Sequence, residues 1–188
     1  KVNEIVAGKY DHKGESVVYG DTDSVYFSAY KTLQKEINEG VIPWTKDSVL
    51  GLYDKIAEEV NGSFKSFMTR AFHTPSTRGE VIAAGRELVA SKGLFITKKR
   101  YAVLYYDKEG TRADVEGKDG KMKAMGLDLK RSDTPVFVQD FLSDLLYMVL
   151  QGKEEKEVLK KISEFRSEFK ARPGWEKGSP KRANNMTK

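Results

Sequence analysis

The stretch VVYGDTDSVYF, residues 17–27, constrains the fold more than any other part of this 188-residue chain. Two runs of β-branched and aromatic residues flank a Gly-Asp turn signal, which predicts a β-hairpin with Asp21 and Asp23 at its tip. Two carboxylates on one side of a turn repel each other unless a positive charge lies between them. If the backbone stays extended through both residues, their side chains project to the same side.

The simplest explanation of these acids is structural: Asp is common in turns because of its backbone preferences. Two chemical interpretations are also open. Paired carboxylates suit Mg²⁺ or Mn²⁺, hard ions that keep water ligands for substrate phosphates. The D-x-D motif of nucleotide-sugar transferases also follows a hydrophobic strand and holds a divalent ion. An EF-hand is excluded, because Val25 and Tyr26 occupy positions where its loop needs a ligand and a glycine. Spacing alone does not separate the remaining alternatives.

The net charge of +5 is concentrated in one stretch of the chain. Residues 92–131 contain eleven Lys or Arg and six Asp or Glu, whereas the rest of the chain is balanced. This stretch is either a solvated β-surface or a basic strip that faces a polyanion, where counterion release drives binding. The absence of Cys excludes disulfides and thiolate metal sites. No apolar run is long enough to cross a membrane.

Apolar spacing predicts the elements of the first two thirds of the chain. With Asp47 as N-cap, residues at intervals of three and four predict an amphipathic helix that runs to about Phe72. The runs GEVIAA, ELVAS, GLFIT and RYAVLYYD predict short strands broken by glycines, and KMKAMG predicts one more. The chain begins in a predicted helix.

The pattern becomes helical after Pro135. Apolar residues on one face predict a helix that ends at Gly152, and a second amphipathic helix follows. The final KRANNMTK predicts a loose tail. A mixed α/β part therefore gives way to a helical part near residue 127.

Four short motifs together resemble family B DNA polymerases, in particular those of T-even-like tailed phages. YGDTDS, flanked by VV and VYF, resembles motif C of that family. The other three follow in the family's order: KKRY from Lys98, K-x-K-x-M-G at 121–126 and S-x-T-P at 132–135. Each motif is weak by itself, but their order makes the resemblance specific, and it covers nearly the whole chain.

The resemblance implies an α+β fold, in which an antiparallel palm-type sheet with a packed helix precedes a helical thumb segment. Residues 1–126 would form the C-terminal part of the palm and residues 127–188 the beginning of the thumb. The implied reaction is template-directed nucleotidyl transfer, in which two Mg²⁺ ions activate the primer 3′-hydroxyl and hold the incoming deoxynucleoside triphosphate.

The resemblance also assigns individual residues. Asp23 would be the principal metal-bridging and catalytic carboxylate, Asp21 the accessory one, and Glu87 a further acid near the metals. The implied contacts to primer-template DNA come from the KKRY segment, the lysines of the next motif and the start of the thumb: Lys98, Lys99, Arg100, Tyr101, Lys121, Lys123, Lys130, Ser132 and Thr134. Alternate residues of a KKRY strand would face the duplex and the protein, so not all four can touch DNA.

Two strings of the family are absent from the sequence. These are an upstream D-x-x-S-L-Y-P strand, which supplies another metal carboxylate, and a K-x-x-x-N-S-x-Y-G helix, which supplies a triphosphate-binding Lys. We therefore expect a fragment or subunit that is inactive alone. Its partner would be an upstream polypeptide that carries the exonuclease, the fingers and the rest of the palm. The expected location is the cytoplasm, that of the host cell if a phage encodes the chain, without membrane attachment.

Two alternatives stay open beside the polymerase. A nucleotide-sugar transferase would explain the D-x-D motif, but it does not predict the basic strand that follows. A non-catalytic DNA-binding module with the same fold would explain the basic stretch, but it has no need for the intact Asp21 and Asp23.

Overall fold

A computed structural model of the chain describes residues 16–31, 33–115 and 117–178. The predicted N-terminal helix and the predicted C-terminal tail lie outside these residues. The chain divides into two compact units, residues 1–89 and 90–188. Antiparallel strands and several helices make it an α+β protein, as predicted.

The predicted hairpin is the first element that the structure describes in the first unit. Strand β1 (Val17–Asp21) pairs antiparallel with strand β2 (Ser24–Phe27). The short helix α1 (Gln34–Asn38) and the long helix α2 (Lys46–Phe72) follow. An isolated two-stranded hairpin is only marginally stable, so the hairpin needs support from α2.

That support comes from aromatic and apolar packing at the base of the hairpin. The ring of Phe27 lies 5.1 Å from that of Tyr53, whose hydroxyl accepts a hydrogen bond from the Ala29 N–H at 3.1 Å. Burial raises the pKa of Tyr53. The buried core of this unit contains Ala29, Leu33, Ile56 and Val60.

Helix α2 confirms the predicted amphipathic helix, with a correction at its start. The N-cap is Thr45, whose hydroxyl accepts from the Ser48 N–H at 3.2 Å, while the Ser48 hydroxyl accepts from the Thr45 N–H at 3.0 Å. This reciprocal capping box satisfies two backbone donors. Asp47, the predicted N-cap, lies in the first turn instead.

The predicted GEVIAA strand is wrong. Ser76–Val81 form a 3₁₀ helix, and the chain then runs without regular structure to Glu87. A Cβ added at Gly79 would lie 2.7 Å from Lys65 Cα, so the 3₁₀ helix packs directly on the backbone of α2. The Asn61 side chain donates to the Ala84 carbonyl at 2.9 Å and accepts from its N–H at 2.6 Å. Helix α2 thereby takes the hydrogen bonds that a neighbouring strand would have made.

A sheet around strand β4 (Arg100–Lys108) is the centre of the second unit. Strand β3 (Leu88–Thr97), β5 (Thr111–Arg112) and β6 (Lys121–Met125) all pair with β4. The predicted ELVAS and GLFIT strands are therefore one continuous strand through Gly93. A Cβ at Gly93 would lie 2.9 Å from the Phe95 ring, so this glycine makes room for an aromatic side chain rather than a break.

The two faces of β4 have different neighbours. Ala102 and Leu104 form a buried cluster with Leu150, which lies on helix α3 (Val136–Gln151). Because successive side chains of a strand alternate, Tyr101 and Val103 lie on the opposite face. All four of these strand residues are at most 4% exposed. Strand β4 is therefore buried on both faces.

Both predicted C-terminal helices are confirmed. Helix α3 ends at Gly152, a left-handed C-cap with φ 76°, and α4 (Glu155–Ala171) follows. Phe141 of α3 stacks on Phe165 of α4 with ring centroids 3.7 Å apart. Helix α5 (Gly174–Lys177) is a single turn. The predicted palm–thumb boundary near residue 127 falls between β6 and α3 and stays a prediction.

Candidate metal-binding hairpin and nucleic-acid interface

Asp21 and Asp23 lie at the tip of the first hairpin, as predicted, but the backbone between them turns. Asp21 ends β1 opposite Ser24, and Thr22 adopts a left-handed φ of 51°. The condition for same-side projection, an extended backbone through both acids, is therefore not met. Asp21 Oδ1 accepts from the Thr22 hydroxyl at 3.1 Å, while Asp23 is exposed in the turn.

The hairpin offers carboxylate oxygens to a hard cation, but it does not complete a metal site. In residues 16–31, 33–115 and 117–178, no three His, Cys, Asp or Glu side chains are grouped so that they could hold a metal ion. Glu87 is exposed and lies just before β3, outside any such group. Two oxygen ligands fit Mg²⁺ chemically, whereas octahedral coordination needs further ligands.

The KKRY segment is a hairpin turn followed by a strand, and the prediction of one continuous strand is wrong here. Lys98 and Lys99 form the two-residue turn between β3 and β4, with Lys99 at φ 61°. Both lysines and Arg100 are exposed. Tyr101 is 4% exposed and stacks on Phe95 with ring centroids 5.7 Å apart. Tyr101 therefore belongs to the core, and the three basic residues lie at the surface.

Gly126, the last residue of the K-x-K-x-M-G motif, lies against this turn. It has φ 66°, and a Cβ added there would lie 2.0 Å from the Lys99 carbonyl oxygen. Only a residue without a side chain allows that approach. Two motifs that are separate in the sequence are thus in direct contact in the fold.

Lys121 and Lys123 lie on β6, beside β4. Lys123 is opposite Val103, and Lys121 is opposite Tyr105. Directly opposed residues of antiparallel strands share a face. Both lysines therefore lie on the sheet face opposite to the one that packs on α3.

Three basic residues of the 92–131 stretch have partners within the second unit. Arg112 binds Asp114 through two hydrogen bonds of 2.8 Å. Lys92 donates to the Gln151 carbonyl at the end of α3 at 3.2 Å. Arg131 binds Asp133 in a bidentate pair at 2.9 and 2.6 Å. The positive charge available to a polyanion is therefore smaller than the sequence count indicates.

Residues 126–135, which we call the connector, join β6 to α3. The connector contains a short 3₁₀ helix (Asp128–Lys130) and a turn at residues 132–133. Helix α3 begins at Val136 with Pro135 as N-cap, which confirms the helical pattern predicted after Pro135, and the S-x-T-P motif lies before the helix rather than in its first turn. Proline disfavours helical geometry in the residue before it, which keeps Thr134 out of the helix. The Thr134 hydroxyl instead donates to the Asp128 carbonyl at 3.1 Å.

Comparison with known proteins identifies the family. The sequence model of DNA polymerase family B matches residues 79–173, half of the chain. The chain belongs to DNA polymerase family B. In this family B chain, the KKRY turn, the K-x-K-x-M-G strand and the connector all lie within the matched residues. Asp21 and Asp23 precede them, and their roles stay predictions.

Individual relatives include phage and cellular polymerases. The DNA-directed DNA polymerase of Escherichia phage RB69 is 35% identical over 166 residues, which cover 82% of this chain and 18% of that protein. The DNA-directed DNA polymerase of Enterobacteria phage T4 is 27% identical over 186 residues, with 90% and 19% covered. The DNA polymerase alpha catalytic subunit of Oxytricha trifallax is 27% identical over 159 residues, with 83% and 8% covered. The chain spans less than a fifth of each relative's length.

The contacts that the sequence did not predict are those that hold the basic segments in place. Gly126 ends the K-x-K-x-M-G motif, but the motif gives no sign of its contact with Lys99, and alternating charges such as those of Arg131 and Asp133 are common in turns.

We predict that Gly126→Ala destabilises this family B chain by about 3 kcal/mol, because a left-handed backbone and a clash with the Lys99 carbonyl add together. Urea denaturation followed by circular dichroism measures the loss. Gly110→Ala is the matched control, since Gly110 has φ 80° but no atom within 4 Å of an added Cβ. It should cost only about 1–2 kcal/mol. Equal losses in both variants would contradict the close approach.

The Arg131–Asp133 pair predicts an acid-shifted titration. Hydrogen bonding to the Arg131 guanidinium lowers the pKa of Asp133 to about 2. Because the folded pKa is depressed, the pair's contribution to stability is present above about pH 4 and is lost as the pH falls toward 2. Carboxyl ¹³C shifts should show this midpoint, and Arg131→Gln should move it up toward about 3.9.

The control for this titration is Arg172→Gln. Arg172 is also ion-paired, with Glu168 at 2.6 Å and Glu176 at 2.8 Å, but it lies after helix α4. That variant should leave the Asp133 midpoint unchanged. A midpoint near 3.9 in the unmodified chain would show that the pair does not form in solution.

Proposed function

We propose that this chain supplies part of the metal-binding centre and part of the primer-template grip of a template-directed DNA polymerase. In this proposal, residues up to 126 belong to the palm and the helical residues from 127 to the beginning of the thumb. The proposal is carried by the exposed basic segment Lys98–Arg100, in which the Lys99 carbonyl packs closely against Gly126. This segment occurs in a chain that belongs to DNA polymerase family B. The acidic hairpin tip of the first unit supplies the second feature that such an enzyme needs.

Asp23 and Asp21 would hold the catalytic Mg²⁺ ions, with Asp23 as the principal ligand. Asp23 is exposed in a tight turn, and Asp21 is tied to the same turn by the Thr22 hydroxyl. Mg²⁺ bound there would stabilise the charge that develops on the triphosphate during attack by the primer 3′-hydroxyl. The remaining ligands would come from an upstream polypeptide with the exonuclease, the fingers and the rest of the palm, and Glu87 would lie near the metals.

The basic residues would hold primer-template DNA behind the site of reaction. Lys98 and Lys99 form an exposed turn, and Arg100, also exposed, begins the buried strand β4, a geometry that suits backbone phosphates and minor-groove acceptors common to all base pairs. Contacts of this kind carry no sequence information, as copying any template requires. Lys121 and Lys123 would extend this surface along β6. Lys130, Ser132 and Thr134 would hold phosphates where the thumb begins.

A non-catalytic DNA-binding module is the second candidate. The observation that favours it is that the described residues contain no complete group of metal ligands. The two hairpin acids favour the polymerase, since DNA binding alone does not need negative charge at an exposed tip. Membership of family B leaves the nucleotide-sugar transferase without support.

The proposed location is the cytoplasm, that of the host cell if a phage encodes the chain. Among the described residues, no helix is both long enough and apolar enough to span a bilayer.

We predict that the chain binds primer-template DNA weakly, without sequence preference and with a steep salt dependence. Lys98→Ala combined with Lys99→Ala should reduce the slope of log Kd against log salt by about one unit for each phosphate that the variant no longer binds. Fluorescence anisotropy of a labelled duplex at several salt concentrations measures the slope.

The matched control for this pair removes two other exposed lysines. Lys160→Ala combined with Lys170→Ala changes the net charge equally on helix α4, outside the proposed interface. It should leave the slope almost unchanged. An unchanged slope in the Lys98/Lys99 variant, or an equal change in the control, would remove the KKRY turn from the DNA interface.

We further predict that the chain alone does not extend a primer and that the matching upstream polypeptide restores incorporation. In the restored enzyme, Asp23→Asn should reduce single-turnover incorporation at least about 100-fold while DNA affinity stays nearly constant, because the carboxylate acts on transition-state charge. Asp21→Asn should do less damage.

Asp140→Asn, which neutralises an exposed acid on α3, is the control and should leave incorporation unchanged. Full activity of Asp23→Asn would overturn the assignment of the catalytic carboxylate. Primer extension by the unmixed chain would overturn the proposed need for an upstream polypeptide.

A further inference from the structure

The side chain of Gln139 links the turn of the connector to helix α3 by hydrogen bonds, beside the apolar packing of Leu127 on the cluster that contains Leu150. Gln139 Nε2 donates to the Arg131 carbonyl at 2.9 Å and to the Thr134 carbonyl at 2.8 Å. Both hydrogens of the amide are used, and the side chain is half-buried. We propose that Gln139 is a positioning residue, which fixes the connector in the conformation that contacts a nucleic-acid phosphate. This inference rests on the proposed function, because it assigns the connector to the DNA interface.

The two carbonyls bound by Gln139 mark the ends of a turn. Ser132 and Asp133 lie between them and are both exposed. Fixing the residue on each side of this pair fixes the path of the backbone through it. Gln139 therefore determines where Ser132 presents its hydroxyl and N–H, although it does not reach the surface that they occupy.

Three hydrogen bonds that involve backbone groups within the connector are longer than those of Gln139. The N–H groups of Arg131 and Thr134 donate to Asp128 and Arg131 carbonyls at 3.2 and 3.3 Å, and the Thr134 hydroxyl donates at 3.1 Å. Bonds of this length are near the weak end of the normal range. The Gln139 bonds are shorter, and they alone among these attach the turn to the adjacent helix. Their loss should therefore reduce the order of the turn.

The charges around the turn make its order relevant to phosphate binding. Arg131 pairs with Asp133 at 2.6 Å and lies 3.9 Å from Asp128. A carboxylate and a phosphate compete for the same hydrogen-bond donors of the Arg131 guanidinium. A disordered turn would let these acids face an incoming phosphate, whereas the fixed turn keeps each acid beside Arg131. The chemical class of the ligand is a nucleic-acid backbone phosphate.

Few other side chains could replace Gln139. Leu has nearly the same volume and good helix propensity, but it donates no hydrogen bond. Glu has the same length, but its ionised carboxylate would face two carbonyl oxygens, which are also acceptors. These two substitutions remove the attachment in different ways and keep a helix-forming residue.

The experiment measures primer-template binding by the full chain at several salt concentrations. Gln139→Leu and Gln139→Glu should each weaken binding several-fold at low salt and reduce the log–log slope by about one unit. Circular dichroism should show unchanged helix content. Combining Gln139→Leu with Lys130→Ala should reduce the slope no further than Lys130→Ala alone, because both remove the phosphate binding of the same turn.

Gln151→Leu is the matched control on the same helix. Gln151 also donates from Nε2, but to Asp119 at 3.0 Å, a residue outside the connector. This control should bind DNA like the unmodified chain. The additive loss of slope with Lys130→Ala, or an unchanged slope in both Gln139 variants, would overturn the positioning role.

The outcomes separate this inference from the function on which it rests. If the Lys98/Lys99 variant loses slope while both Gln139 variants keep it, the proposed DNA interface stands and the positioning role is overturned. If the unmodified chain does not bind the duplex, the proposed interface itself is overturned, and the inference with it. If Gln139→Leu lost helix content and Gln139→Glu did not, the salt-dependence slope of Gln139→Glu would decide whether the positioning role stands.

Discussion

Burial of strand β4 on both faces is the constraint on which the second unit depends. Residues 101–104 are at most 4% exposed, and apolar burial contributes roughly 25 cal/mol per Å². Such a strand cannot shift its register by one residue without moving each side chain to the wrong face. The position of the Lys98–Lys99 turn at its start is therefore fixed by the core. Lys99 adopts a left-handed φ of 61°, a local cost that the buried strand outweighs.

The first unit relies on a different support. Its hairpin is too small to be stable by itself, so the order of the acidic tip depends on contacts at the base. Phe27 and the Ala29 N–H both meet Tyr53 of α2 there. The tip carrying Asp23 extends beyond these contacts. This arrangement leaves Asp23 exposed, and under the proposed function the final geometry of the two carboxylates would be set by the metal ions and by ligands from outside the described residues.

Periodicity predicted the elements that bury a continuous apolar face, and it failed where one polar or backbone contact decides the structure. Helix α2 and strand β4 were predictable because many residues contribute to each pattern. The Lys98–Lys99 turn was not, since it lacks the Gly or Asn that indicates a left-handed turn. The wrong prediction of a strand at GEVIAA has a similar cause. The side chain of Asn61 on helix α2 binds the N–H and carbonyl of Ala84, which a neighbouring strand would otherwise have bound.

The contact between Lys99 and Gly126 explains why two of the motifs belong together. KKRY and K-x-K-x-M-G are separated in the sequence, yet Gly126 lies where any side chain would strike the Lys99 carbonyl. A basic turn of this shape therefore requires a glycine at the end of the paired strand β6. The same strand leads into the connector, whose turn is bound to α3 through Gln139. The motif order thus follows one continuous structural path, from the turn before β4, across β6, to the first helix of the proposed thumb.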